Sequence, residues 1–167
     1  SITTFAAGTT DLYEWLDGND VVRFLPVEVV NSPETIARNR RMVTINGALQ
    51  VDLWGQVVAD TLGARQYSGI GGHEDFVSAS GYTLEDRSLV CLPAVSIVAG
   101  IQVSRIVGAL GSGTVITTPR HQLDVVITEF GVAELRGRTV RERARALAEI
   151  AHPDFRDELR EQAEQLR

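Results

Sequence analysis

Short apolar runs separated by Gly, Pro, Ser and Asp mark the first three quarters of the chain, and helical spacing takes over in the last quarter. The runs at 2–6, 27–30, 89–92, 103–107, 115–117 and 125–128 are rich in β-branched residues and bounded by turn formers, the pattern of buried strands. Residues 42–45 and 49–53 are also apolar, and Trp54-Gly55-Gln56 turns the chain into Val57-Val58-Ala59, which predicts a hairpin. Helix signals lie between these runs. Thr10 can cap a helix carrying Leu12, Trp15 and Leu16 that ends at Gly18. Ser32 and Pro33 make an N-cap and first helical position, and residues 74–79 follow a glycine loop into a further helix.

Toward the C-terminus, Thr139 and Glu142 have capping-box spacing, and Val140, Ala144, Leu147 and Ala151 share one helix face. His152-Pro153 interrupts that pattern, then Leu159, Ala163 and Leu166 resume it. Strands mixed with helices throughout predict an α/β fold, an open sheet that is mainly parallel or mixed and flanked by helices. At 167 residues the chain is long enough for one domain with its own core, so residues 1–167 are read as a single domain.

Composition narrows the partners. A net charge of −6 and no basic stripe with interleaved aromatics argue against nucleic acid. The basic cluster at 138–145 contains Glu142 and falls on a predicted helix, the pattern of a solvated face. An anionic small molecule stays open, because binding one needs only a local positive site. The one cysteine, Cys91, has no internal partner and sits in an apolar run, so a structural thiol in a reducing compartment, the cytoplasm, is expected. No run approaches membrane-span length and no signal peptide is visible. A start at Ser1 that leads directly into an apolar run suggests a piece of something larger.

Chemistry concentrates in Tyr67-Ser68-Gly69-Ile70-Gly71-Gly72-His73-Glu74-Asp75-Phe76. Three glycines in four positions let the backbone approach a ligand closely, and the N–H groups ahead of a helix can meet an anion or a developing oxyanion. Such a loop is also a plain strand-to-helix connection. Ser68 before it and Asp75 in the first helical turn tilt the reading toward a ligand. Several motifs are excluded. The dinucleotide fingerprint needs a third glycine where Glu74 stands, and there is neither a P-loop nor a G-x-S-x-G elbow. His73, His121 and His152 are too dispersed for a zinc signature, so no metal is expected.

Three more residues stand at predicted strand ends, where open α/β sheets place their ligands. Asn31 and Asn46 can donate amide hydrogen bonds, although Asn31-Ser32-Pro33 is also ordinary turn chemistry. Glu129 follows an apolar strand, and a carboxylate there must be solvated, paired or functional; Arg136 is the evident pairing partner.

With Asn46–Val57 before it and Val126–Gly137 after it, the glycine loop resembles the C-terminal domain of the acetyl-CoA hydrolase and 4-hydroxybutyrate CoA-transferase family, the family I CoA-transferases. Segments 104–107, 115–120 and 150–156 are similar to it as well. The resemblance implies a CoA-transferase type α/β domain with coenzyme A or an acyl-CoA as substrate, a short-chain carboxylate as second substrate, and no permanently bound cofactor. It implies that Gly72 lies against the thioester, that Ser68 and Gly71 of the same loop bind CoA, and that Asn46 and Ala48 line the CoA pocket. It gives Asn31 an auxiliary catalytic role at the reacting carbonyl, as an oxyanion donor worth about 3–4 kcal/mol, and gives Glu129 a supporting one.

Relatives attack the acyl-CoA with a glutamate in an H-[ST]-E context to form glutamyl-CoA, and no such context occurs here. The implied reading is a CoA-binding half whose N-terminal half is absent, inactive alone and prone to pair with itself as a homodimer. A free-standing CoA-binding or regulatory module is the alternative. Position 73 is often Gln in relatives and is His here, and 98–101 lacks a lysine that relatives often offer to CoA.

Overall fold

A computed structural model describes residues 1–81 and 83–166. The N-terminal segment carries β1 (Ile2–Thr3), α1 (Thr10–Leu16), β2 (Arg23–Phe24), α2 (Val27–Val30) and α3 (Pro33–Ala37). Next come β3 (Val43–Gly47), β4 (Gln50–Asp52), β5 (Val57–Val58), β6 (Thr61–Leu62) and β7 (Arg65–Gln66). After the glycine loop follow α4 (His73–Ala79), β8 (Arg87–Cys91), β9 (Val95–Val98), β10 (Ile101–Ser104) and β11 (Ile106–Val107). The last elements are β12 (Val125–Thr128), β13 (Gly131–Glu134), α5 (Val140–Glu149) and α6 (Pro153–Gln165).

The central sheet runs β13-β12-β8-β3, with β12, β8 and β3 parallel and β13 folded back antiparallel. This is the expected mixed α/β sheet. A second sheet, β11-β4-β5, contains the predicted hairpin, and Gly55 turns it at φ +86°. The core joins both sheets to the last two helices: Val51, Leu53, Val90, Ile106, Val126, Leu135, Leu147 and Leu159 are all buried.

Burial alternates along β3, β8 and β13, as the two-residue period requires, while in β12 Val125 is buried on the face opposite Val126 as well. Thr44, Ser88, Val90, Val126 and Ala133 fill one face and are buried. On the other face Ile45 and Val132 are 69% and 56% exposed, with Leu89, Cys91 and Ile127 half-buried between them. Parallel strands are ordinarily covered on both faces. Here one face is largely open.

The caps follow the sequence. Ser32 Oγ accepts from the Thr35 N–H with Pro33 at the first helical position, and the Thr139–Glu142 box is formed in both directions. Five expectations are corrected. Residues 27–30 are a single helical turn, closed by Val30 N–H to Pro26 O and Asn31 N–H to Val27 O, so Asn31 caps a helix rather than ending a strand. Ile2 belongs to a two-residue strand and is exposed, not buried. The 103–107 run splits at Arg105, whose N–H bonds Ala94 O while its own carbonyl accepts from Val51 N–H, so its two parts join different sheets. Residues 115–117 form no strand; only Thr118 bridges to Val57. At α1 the N-cap is Thr9, not Thr10.

Candidate functional site

The parallel strands deliver their carboxyl ends to one rim, and the glycine loop is folded over it. A cleft of about 430 Å³ opens there, walled by Asn31, Asn46, Gly47, Gly72, His73 and Phe76, with the N-terminal Ile2–Phe5 stretch closing one side. Three residues picked from sequence, Asn31, Asn46 and Gly72, therefore meet in one place although they come from α2, β3 and the loop before α4.

Close packing explains the glycine. Gly72 has φ −85°, a value any residue adopts, so no torsion demands it. A Cβ there would stand 2.2 Å from Asn31 Nδ2 and 3.3 Å from the Phe76 ring. Gly71 is the opposite case, with φ +59° and nothing near the missing Cβ. Asn31 Nδ2 donates to Asp75 Oδ2 at 3.5 Å, so the first-turn carboxylate of α4 orients the asparagine. Asn46 Nδ2 is shut off from solvent and has no hydrogen-bond partner among the described residues. A buried amide donor without an acceptor costs about 1–3 kcal/mol, which a ligand oxygen in the cleft would offset.

Behind the loop lies a polar chain that the sequence did not announce. His73 is 6% exposed, and its Nε2 stands 2.8 Å from Thr118 Oγ1. Thr118 Oγ1 also bonds the Glu74 carboxylate. The threonine has one proton and an ionised carboxylate can only accept, so Thr118 donates to Glu74 and accepts from the ring, which places the His73 proton on Nε2. Burial pushes the imidazole below its usual range, against the pull of Glu74, the Gly47 carbonyl and Asp60. Asp60 is itself held low, chiefly by the Thr117 hydroxyl and the Gln66 amide.

Ser68, Ala48 and Glu129 do not wall the cleft. Ser68 is exposed and its hydroxyl turns back to Gly69 O at 3.0 Å, while Ala48 packs against the core. Glu129 lines a separate apolar groove with Cys91, Pro93 and Ile127, on the open face of the sheet. Its Oε2 accepts from Ala94 N–H at 2.9 Å. The expected partner Arg136 bonds Asp124 instead. Cys91 is half-buried, with its side chain on that same open face.

The sequence matches, over residues 8–163, the family described as the acetyl-CoA hydrolase/transferase C-terminal domain. The chain belongs to that family. It is 42% identical to the 4-hydroxybutyrate coenzyme A transferase of Clostridium kluyveri over 158 residues, 95% of this chain and 36% of that protein. It is 43% identical to the succinyl-CoA:cyclohexane-1-carboxylate CoA transferase of Geobacter metallireducens over 166 residues, 99% of this chain and 38% of that protein. The crystal structure of RipA from Yersinia pestis superposes with a TM-score of 0.86 at 39% identity, over 99% of this chain and 37% of that one. The chain thus spans little more than a third of the length of these relatives.

The family membership makes the β9–β10 hairpin informative. Val98 pairs with Ile101, leaving a two-residue turn in which Ala99 and Gly100 have φ +50° and +81°. The turn has no cationic side chain, so a phosphate meeting it would find backbone only. No helix among the described residues is long and apolar enough to cross a membrane.

Proposed function

We propose that residues 1–167 form one domain, the CoA-binding C-terminal half of an enzyme that moves CoA between a short-chain acyl-CoA and a carboxylate, or hydrolyses the thioester. The covalent glutamate comes from outside these residues. The observation that carries this reading is the convergence of Asn31, Asn46 and Gly72 on one cleft, with the Asn46 amide buried and unpartnered. Gly72 lets a thioester approach the backbone, Asn46 Nδ2 meets a ligand oxygen, and Asn31 stands as donor to the reacting carbonyl. Glu129 supports the rim by holding Ala94. The relatives' names, CoA-transferases acting on carboxylates, agree with this assignment.

Resolution of the covalent intermediate by a carboxylate gives transfer, and by water gives hydrolysis. The open sheet face, with Ile45 and Val132 exposed, is where the companion half would pack, since a parallel sheet wants both faces covered. Titrating the purified chain with acetyl-CoA by calorimetry, alongside a thiol-release assay with and without butyrate or succinate, tests the reading. Binding without turnover is expected, with Asn46→Ala weakening it about tenfold, the equivalent of one charge-free hydrogen bond. No binding, or turnover by the chain alone, overturns it.

A further inference from the structure

No arginine, aspartate or glutamate walls the cleft, and the chain has no lysine. The apolar surface comes from Ile2, Phe5, Val30, Ala59, Ile70 and Phe76. The polar side chains beside them are hydroxyls, the two asparagine amides and the buried His73 ring. The cleft therefore offers a ligand hydrogen bonds and apolar contact, but no cation.

The charges set directly behind the wall are negative. Asp75 accepts from Asn31, Glu74 lies 4.0 Å from His73 Nε2, and Asp60 follows the wall residue Ala59. Among the described residues none of these three carboxylates pairs with an arginine. The arginine ion pairs join Arg87, Arg136, Arg145 and Arg160 to other acids.

We infer that this wall selects an acyl group with no second charge, a short aliphatic chain rather than a dicarboxylic one such as succinyl. The inference rests on the CoA reading above and narrows it. In that reading the reacting carbonyl lies between Asn31, Asn46 and Gly72. The far carboxylate of a succinyl group is only a few bonds from that carbonyl, so it meets this wall whichever way the pantetheine arm leaves. There it would lose hydration against apolar side chains, face three charges of its own sign and find no cation. A methyl in the same place gains by leaving water. The two relatives reported above differ on this point, one named for 4-hydroxybutyrate and the other for succinyl-CoA, so family membership leaves the choice open.

Calorimetry on the intact chain near neutral pH, with free CoA, acetyl-CoA, butyryl-CoA and succinyl-CoA, tests this. Butyryl and succinyl are a matched pair, with a methyl in one where the other has a carboxylate. Each methylene buried should tighten binding roughly fourfold, so butyryl-CoA should bind about tenfold more tightly than acetyl-CoA. Succinyl-CoA should bind at least about tenfold more weakly than butyryl-CoA. Ile70 is 46% exposed at the lip of the cleft, so it can be replaced without disturbing the core. Ile70→Arg should raise the succinyl-to-butyryl affinity ratio at least about tenfold, a ratio in which any attraction to the phosphates of CoA cancels. Ile70→Gln, polar but uncharged, should leave succinyl-CoA the weaker ligand. Equal binding of succinyl-CoA and butyryl-CoA, or a ratio unmoved by Ile70→Arg, overturns the inference and leaves the CoA reading standing. If free CoA and all three thioesters fail to bind, the CoA reading falls and this inference with it.

Discussion

Gly72 and Asn31 touch so closely that a single methyl on the glycine would overlap the asparagine amide, 2.2 Å away. The atom in the way is the far end of a flexible side chain, so Gly72→Ala can be accommodated by swinging Asn31 aside. Its φ of −85° suits alanine. Stability should therefore change by less than about 1 kcal/mol, or even rise through the entropy of the unfolded chain. Acetyl-CoA binding should fall tenfold or more, because the amide is no longer aimed at the cleft. Gly71→Ala should do the reverse: it costs about 1–2 kcal/mol for φ +59° yet displaces nothing, so binding stays within about twofold. Thermal melts paired with calorimetry on both variants separate them, and equal binding losses would refute the contact.

Protonation of His73 should destabilise the ligand-free chain. Its pKa lies below that of the unfolded residue because burial disfavours the charge. The unfolded state then binds more protons in the window between the two values. Stability is therefore complete above about pH 6.5 and is lost as pH falls through the folded-state value. Urea denaturation across pH 5–8 should show this slope in the wild type and a flatter profile in His73→Gln. Identical profiles would mean that the ring titrates normally.

Much of this was legible in sequence because the signals were local. Ser32-Pro33, the Thr139–Glu142 box and Gly55 each act over four residues or fewer, and the runs at 89–92 and 125–128 stand between turn formers. What failed was decided elsewhere. Val27–Val30 has β propensity, but among the described residues no strand pairs with it, and the turn begun at Pro26 closes on itself. Residues 115–117 build no ladder: Thr117 N–H reaches Val57 O, but Val115 O accepts from the Thr61 hydroxyl and Thr117 Oγ1 serves both Ala59 N–H and Asp60. In the site, Asn31, Asn46 and Gly72 were visible as types at punctuated positions. The His73–Thr118–Glu74 chain was not, because Thr118 lies 45 residues from His73 and carries no periodic or motif signal. Glu129 was placed by its strand end, yet a strand end fixes only the rim and not the pocket along it.

Glu129 and the cleft occupy different strands of that rim. Gly47 pairs with Cys91 and Cys91 with Ile127, so two strand spacings, about 10 Å, separate β3 from β12. Glu129→Gln keeps an oxygen for Ala94 N–H and should leave acetyl-CoA affinity within about twofold. Glu129→Ala strips that acceptor from a buried residue and should lower stability by about 1 kcal/mol. A tenfold affinity loss in the glutamine variant would place Glu129 in the binding site itself.

The β9–β10 turn carries a non-glycine residue in left-handed backbone, Ala99 at φ +50°. Two-residue hairpins of this kind need positive φ at both central positions, which is why Asn-Gly is the favoured pair. Ala99 is exposed, so a polar side chain there meets only water. Ala99→Asn should raise stability by about 0.5–1 kcal/mol without altering acetyl-CoA affinity. An unchanged or lowered melting temperature would show that the turn does not hold that conformation.

Asp124 lies at the opposite end of the central sheet, 3% exposed, and gathers Arg87 Nε at 3.2 Å, Arg136 Nη2 at 3.1 Å and the Ser88 N–H at 3.1 Å on one oxygen. It ties the start of β8 to the start of β12 and to the arginine after β13. Removing it strands the buried Ser88 N–H, while the two arginines, each a third or more exposed, can turn to water. The cost should therefore fall at about 2–3 kcal/mol, below the 3–5 expected when a fully buried ion pair is broken. Asp124→Ala, followed by urea denaturation, should show that loss with the m-value unchanged. Acetyl-CoA affinity, extrapolated to the folded fraction, should match the wild type because the cleft is at the other rim. A selective loss of affinity would mean that the two ends of the sheet are coupled.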